Sequence, residues 1–170
     1  NHDCDAQERS FGELASTFHT PAVLDVVEPV AGLRLALANV YHEDPFAGPG
    51  TWSDALDTAL RSAAADAWRD AVPLLLVLHS WVLPNFEDQG GVVGNWQQAL
   101  ATVSECPALA AVLTGHRHIN RVRMYRDVLL IDTACLIGFP VGLRQLSLGE
   151  DAVLTGTFHQ LCLPAFIQTS

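Results

Sequence analysis

Pro73-Leu74-Leu75-Leu76-Val77-Leu78-His79 decides how this chain is read. The run is solidly apolar, with Ala71 and Val72 before it, yet far too short to span a bilayer, which takes about 20 such residues. A short aliphatic run opened by Pro and closed by a polar side chain is the pattern of a strand buried on both faces. Upstream, Leu56, Leu60, Ala63, Ala67 and Ala71 recur three or four apart, which predicts one apolar stripe of an amphipathic helix. Ser53 stands at its start as N-cap, and Pro73 ends it. Downstream, a long loop over 80–94 with Pro84 and Gly90-Gly91 leads to Asn95, which is placed to cap a second helix through about Glu105. Trp96, Leu100 and Val103 face inward in that helix, and Pro107 breaks it. Residues 108–113 then predict a second buried strand, with Gly115-His116-Arg117-His118 at its end.

Farther from this centre the pattern changes. Residues 23–27 and 33–41 read as two strands around a turn marked by Pro29 and Gly32, and 4–18 as a short helix or loop–helix. Residues 122–125, 128–132, 143–148 and 153–159 predict antiparallel strands, with Arg126-Asp127 and Gly149-Glu150-Asp151 as turns. The order is strand, helix, strand, helix, strand, then a run of strands. It predicts an α/β fold, a β-sandwich of mixed sheets flanked by helices. No repeat, low-complexity tract or linker interrupts the pattern, so residues 1–170 are taken as a single domain.

Composition narrows the function classes. Hydrophobic residues make up 49% of the 170 and charged residues 16%, which supports a packed core and excludes disorder as the whole answer. The net charge is −10, with nine Arg and not one Lys. Coating nucleic acid or an anionic membrane needs the opposite sign. Arg117, Arg121, Arg123 and Arg126 form the one basic cluster. With no signal peptide or membrane span visible, a cytoplasmic location is the expectation. Cys4, Cys106, Cys135 and Cys162 form no CxxC pair, so zinc-knuckle spacing is absent and free thiols are expected.

In open α/β sheets ligands sit outside the C-terminal ends of strands, and both His79 and the His116/His118 pair fall at such ends. On a regular strand His116 and His118 would point to opposite faces. In a loop leaving a strand they either flank a space, each able to hold one of two metals about 3.5–4 Å apart, or are simply solvated. His79, 37 residues before His116, is either a core histidine or a ligand. Asn1-His2-Asp3 is either a frayed terminus or a functional triplet. An Asn oxygen suits Mn, Fe, Mg or Zn in a mixed site, and a neighbouring His can protonate a leaving alkoxide.

Taken together, these pieces resemble the calcineurin-like metallophosphoesterases, whose ordered signatures are DxH, GDxxD, GNH(D/E), a lone His after an apolar strand, and GHxH. Asn1-His2-Asp3 matches the third signature without its glycine, Val77-Leu78-His79 the fourth and Gly115-His116-Arg117-His118 the fifth. Segments 130–133 and 140–144 are similar to the family's later strands, and the resemblance covers nearly the whole chain. It implies a partial four-layer metallophosphoesterase-like sandwich, two divalent metal ions (Mn, Fe or Zn) and a small phosphoester substrate. It further implies that Asn1, His79 and His116 bind the second metal, that His118 binds the first, and that His2 acts on the leaving group. Asp3 stands beside His2. Arg117, Ser80 and His42 are candidate substrate contacts, Ser80 occupying the place where many relatives carry a second His. Asp132, at the end of an apolar strand, is a candidate to brace a ligand histidine. His19 and His159 are not expected to be ligands.

DxH and GDxxD are absent from the sequence. The expectation is therefore a C-terminal portion that binds metals poorly and is inactive alone. It would be completed by an N-terminal segment or a second chain that supplies aspartate ligands. Two rivals remain open: a non-catalytic, degenerate scaffold of the same fold that acts as a binding partner, and a mononuclear zinc module built on His79, His116 and His118.

Overall fold

The computed structural model describes residues 21–43, 48–85, 90–136, 141–149, 151 and 153–161. Asn1, His2, Asp3 and the helix read over 4–18 lie outside them. Eight strands and two helices follow in the order β1 (Leu24–Val30), β2 (Leu33–Ala38), α1 (Asp54–Arg69), β3 (Leu74–Val77), α2 (Trp96–Glu105), β4 (Leu109–Thr114), β5 (Arg121–Tyr125), β6 (Val128–Asp132), β7 (Gly142–Leu148) and β8 (Leu154–Gln160). A six-stranded sheet runs β1-β2-β3-β4-β6-β5, and β7-β8 form a separate two-stranded sheet. The fold is α/β with mixed sheets, as read from the sequence.

The centre of the large sheet is parallel: β2 with β3, β3 with β4, β4 with β6. Its edges are the antiparallel hairpin partners β1 and β5. The later strands pair antiparallel as read from the sequence, β5 with β6 and β7 with β8. β6 is antiparallel to β5 but lies parallel beside β4, because Val128 and Leu130 face one apolar layer and Leu129 and Ile131 the other. Between β3 and β4 the register skips Ala110, pairing Leu74 with Leu109 but Leu75 with Ala111. That bulge turns Leu109 and Val112 to the same side.

Both helices cover one face. Leu56, Leu60, Ala64 and Ala67 of α1 and Ala99, Leu100 and Val103 of α2 pack on Ala36, Leu74, Leu76, Val112 and Leu130. The other face holds a smaller buried group, Leu33, Leu75, Ala111 and Ile131, flanked by Leu148 and Leu154 of the β7-β8 sheet. Among the described residues it is incompletely covered. Clefts of about 540 Å³ and 460 Å³ run along it and share Leu113. Among the described residues no helix is long and apolar enough to cross a membrane.

Helix ends followed the sequence unevenly. Ser53 Oγ accepts from Leu56 N at 3.1 Å and caps α1 as expected. Ala71 is outside the helix, in a left-handed turn with φ 55°. Asn95 sits at the start of α2, but its own φ is 59° and its side chain makes no cap. Its Nδ2 instead donates to Trp52 O, joining the start of α2 to that of α1.

Candidate metal centre

β3 and β4 bring their distant loops together by extending the ladder past their ends. Leu78 N donates to Leu113 O at 3.1 Å and Gly115 N to His79 O at 2.9 Å. Thr133 N donates to Thr114 O at 2.9 Å, tying the end of β6 to the same place. His79 therefore meets His116 directly: His79 Nε2 and His116 Nδ1 are 2.9 Å apart. Their rings lie edge to face, with centroids 4.8 Å apart. One of the two nitrogens must carry the proton that the other accepts, so the contact couples their tautomers.

The Gly115–His118 turn is an unusual piece of backbone. His116 and His118 both have left-handed φ, 63° and 54°, and Arg117 N donates to Gly115 O at 2.8 Å. His tolerates this region better than most residues, but each such position still costs about 1 kcal/mol or more. Neither residue therefore continues the strand, whose alternation would set the two rings on opposite faces. His116 is half-buried, and Arg117 and His118 are exposed.

Two imidazole nitrogens on one ion, with bonds of about 2.0–2.1 Å, stand roughly 2.9–3.4 Å apart. The 2.9 Å between His79 Nε2 and His116 Nδ1 lies at the short end of that range. Among the described residues no third His, Cys, Asp or Glu joins them as a group, so His118 does not complete a trio. Asn1 and His2 lie outside the described residues.

The other candidates are engaged elsewhere. Ser80 is fully buried. Its Oγ donates to Pro49 O and is 3.3 Å from Tyr41 Oη. His42 has Nδ1 2.8 Å from Asn39 O, which fixes the proton there, and Nε2 3.0 Å from Ser53 Oγ. It thereby supports the cap of α1. Asp132, 2% exposed, touches neither His79 nor His116 in its hydrogen bonds. Its Oδ1 accepts from Thr114 Oγ1 at 2.5 Å and its Oδ2 from Arg121 Nε at 2.7 Å.

Tyr41 and Trp81 were not singled out in the sequence. Tyr41 presents its ring 6.1 Å from that of His79 and, with His79, Gly115, Val77 and Leu113, lines the 460 Å³ cleft. Burial pushes its hydroxyl pKa up, against the hydrogen bond with Ser80, so it remains a neutral donor. Its place three residues past β2 was a signal of the same kind that marked His79, two residues past β3. Trp81, fully buried, carries the Arg121 guanidinium 4.5 Å from its ring centroid.

No family model and no curated protein matches this chain. Solved structures do. A dimetal phosphatase from Danio rerio superimposes with a TM-score of 0.57 at 12% identity, over 65% of this chain and 49% of that one. A putative 5'-nucleotidase from Staphylococcus aureus aligns over 79% of this chain and 28% of that one, with a TM-score of 0.45 and 16% identity. The chain thus spans about half the length of the zebrafish phosphatase, and at this identity the likeness concerns the fold alone.

Proposed function

We propose that this chain is the C-terminal portion of a two-metal phosphoesterase, hydrolysing a small phosphodiester or phosphomonoester. The observation that carries the reading is the 2.9 Å contact between His79 and His116, two imidazoles 37 residues apart in sequence and delivered by adjacent parallel strands.

In this reading His79 and His116 hold one divalent ion together with Asn1, and His118 holds the other. The ions, Mn, Fe or Zn, supply Lewis acidity and an attacking water of lowered pKa. His2 gives a proton to the departing alkoxide, and Arg117, beside both histidines in sequence, offsets charge on the phosphoryl oxygens. The net charge of −10 disfavours long nucleic acid and suits a small substrate.

An N-terminal segment or a second chain completes the site with aspartates. What supports this is that neither DxH nor GDxxD occurs in the sequence. The same absence of aspartate signatures supports a second reading for the chain by itself, a non-catalytic scaffold, and a mononuclear zinc module is the third.

Metal content separates the three: two ions per complete protein for the phosphoesterase, one for the zinc module, none for the scaffold. The decisive experiment restores the upstream segment and assays bis-p-nitrophenyl phosphate with manganese. His116→Ala is expected to lower the rate by about a hundredfold or more, through loss of a metal ligand. Unchanged activity in His116→Ala overturns the proposal.

A further inference from the structure

We infer that Asp132 acts as a positioning residue, fixing the spacing of His79 and His116 through two separate arms. The inference rests on those imidazoles forming the metal centre proposed above.

The first arm is Thr114. This is the last residue of β4, buried, and immediately precedes Gly115-His116. Its hydroxyl donates to Asp132 Oδ1 at 2.5 Å, and its carbonyl accepts from Thr133 N. The rotation of Thr114, and with it the direction in which the histidine turn leaves the strand, is set by the carboxylate.

The second arm is Arg121. Its Nε donates to Asp132 Oδ2 at 2.7 Å, and its planar head lies over Trp81, 4.5 Å from the ring centroid. Trp81 follows His79 by two residues and is held by backbone bonds to Gly91 and Val93. Arg123 reinforces this arm. Its Nη2 is 3.6 Å from Asp132 Oδ2, and its two Nη atoms donate to Leu83 O and Pro84 O, farther along the loop after Trp81. One carboxylate on β6 therefore grips both loops that carry the imidazoles while touching neither ring.

A second cluster supplies a control within the molecule. Asp57 likewise accepts from a Thr hydroxyl, that of Thr102, and from an Arg, Arg61 Nε at 2.8 Å, and it also accepts from Trp52 Nε1 at 2.9 Å. It joins the two helices instead of the histidine loops. A generic loss of packing or charge affects both clusters, and a positioning role belongs to Asp132 alone.

The test uses the metal-free full chain at one fixed pH, kept below its unfolding midpoint. Long-range proton–nitrogen spectra of the imidazoles report the His79–His116 contact. Asp132→Asn keeps the side-chain shape and is expected to move the ring signals of His79 and His116. Asp57→Asn is expected to lower the thermal midpoint and leave those signals in place. Thr114→Val and Arg121→Met each cut one arm, moving chiefly His116 and chiefly His79, so the inference stays testable if Asp132→Asn does not fold. Arg121→Lys, which keeps charge but not the flat stack on Trp81, restores the signals only in part. Cobalt affinity is expected to fall about ten- to a hundredfold in Asp132→Asn, the usual range for supporting groups of metal ligands. Ring signals in Asp132→Asn and both arm variants that superimpose on the unsubstituted protein overturn the inference, as do equal movements in Asp57→Asn. A completed protein without phosphoesterase activity, whose ring signals still move in Asp132→Asn, removes the proposed function and leaves the clamp standing.

Discussion

Two carboxylates in this protein have nearly the same company and opposite relations to the imidazole pair. Asp57 collects Thr102, Arg61 and Trp52 in the first turn of α1, on the side of the sheet where both helices lie. Asp132 collects Thr114 and Arg121, with Trp81 beneath the guanidinium, at the end of β6. The Asp57 side chain is 14% exposed and that of Asp132 2%. The chemistry of a carboxylate with a hydroxyl and a guanidinium does not by itself say what the cluster is for. The elements it joins do: two helices in one case, two histidine loops in the other.

Cutting each network gives the sharpest separation. Asp132→Ala leaves Arg121 and Arg123 largely buried without their carboxylate, and stability should fall by about 3–5 kcal/mol in urea denaturation, as for other broken buried pairs. Asp57→Ala should cost less, about 1–3 kcal/mol, because water can replace part of what is lost. Equal losses at the two sites would erase the distinction drawn from their burial.

Acid should act through Asp57. Burial pushes its carboxyl pKa up, but the hydrogen bonds from Thr102, Trp52 and Arg61 together outweigh it, and the net shift is down from 3.8. A depressed carboxylate adds stability that is fully present above the unfolded pKa and lost as pH falls through the folded one. The thermal midpoint should therefore drop on acidification below about pH 4, the ordinary range for Asp, and this part of the drop should vanish in Asp57→Asn. An identical acid profile in that variant would show that the cluster contributes nothing through its charge.

The smallest expected effect lies at the cap beside Asp57. Ser53→Ala removes the acceptor for Leu56 N and the partner of His42 Nε2, and should cost about 1 kcal/mol. Retained phosphoesterase activity of the completed protein in Ser53→Ala would fit the engagement of His42 in structure; a large loss of activity at full stability would point to His42 contacting substrate after all.

Much of the architecture was legible from one short pattern. The aliphatic run before His79, the helix stripe ahead of it and the second run over 108–113 predicted two buried strands of a mixed α/β sheet, and the structure pairs them side by side, in parallel. Ser53 was readable as a cap because its side chain competes locally for Leu56 N. Asn95 was misread by the same rule, since a left-handed backbone turned its amide toward Trp52. The parallel pairing of β6 with β4 was hidden because its alternating apolar residues serve two layers from different parts of the chain. Asp132 was marked as a candidate brace for a ligand histidine, but its bonds run to Thr114 and Arg121, which no spacing rule connects.

Sequence alone determined which segments are buried strands and amphipathic helices, and that histidines stand where two of those strands end. These are local matters of periodicity, capping and turn chemistry, decided within a few residues. Only the tertiary structure decided that His79 meets His116, that Ser80 and His42 turn inward, and that Asp132 holds both loops at once. Each of those depends on strand order and register between segments dozens of residues apart, set by how two apolar layers close on one sheet.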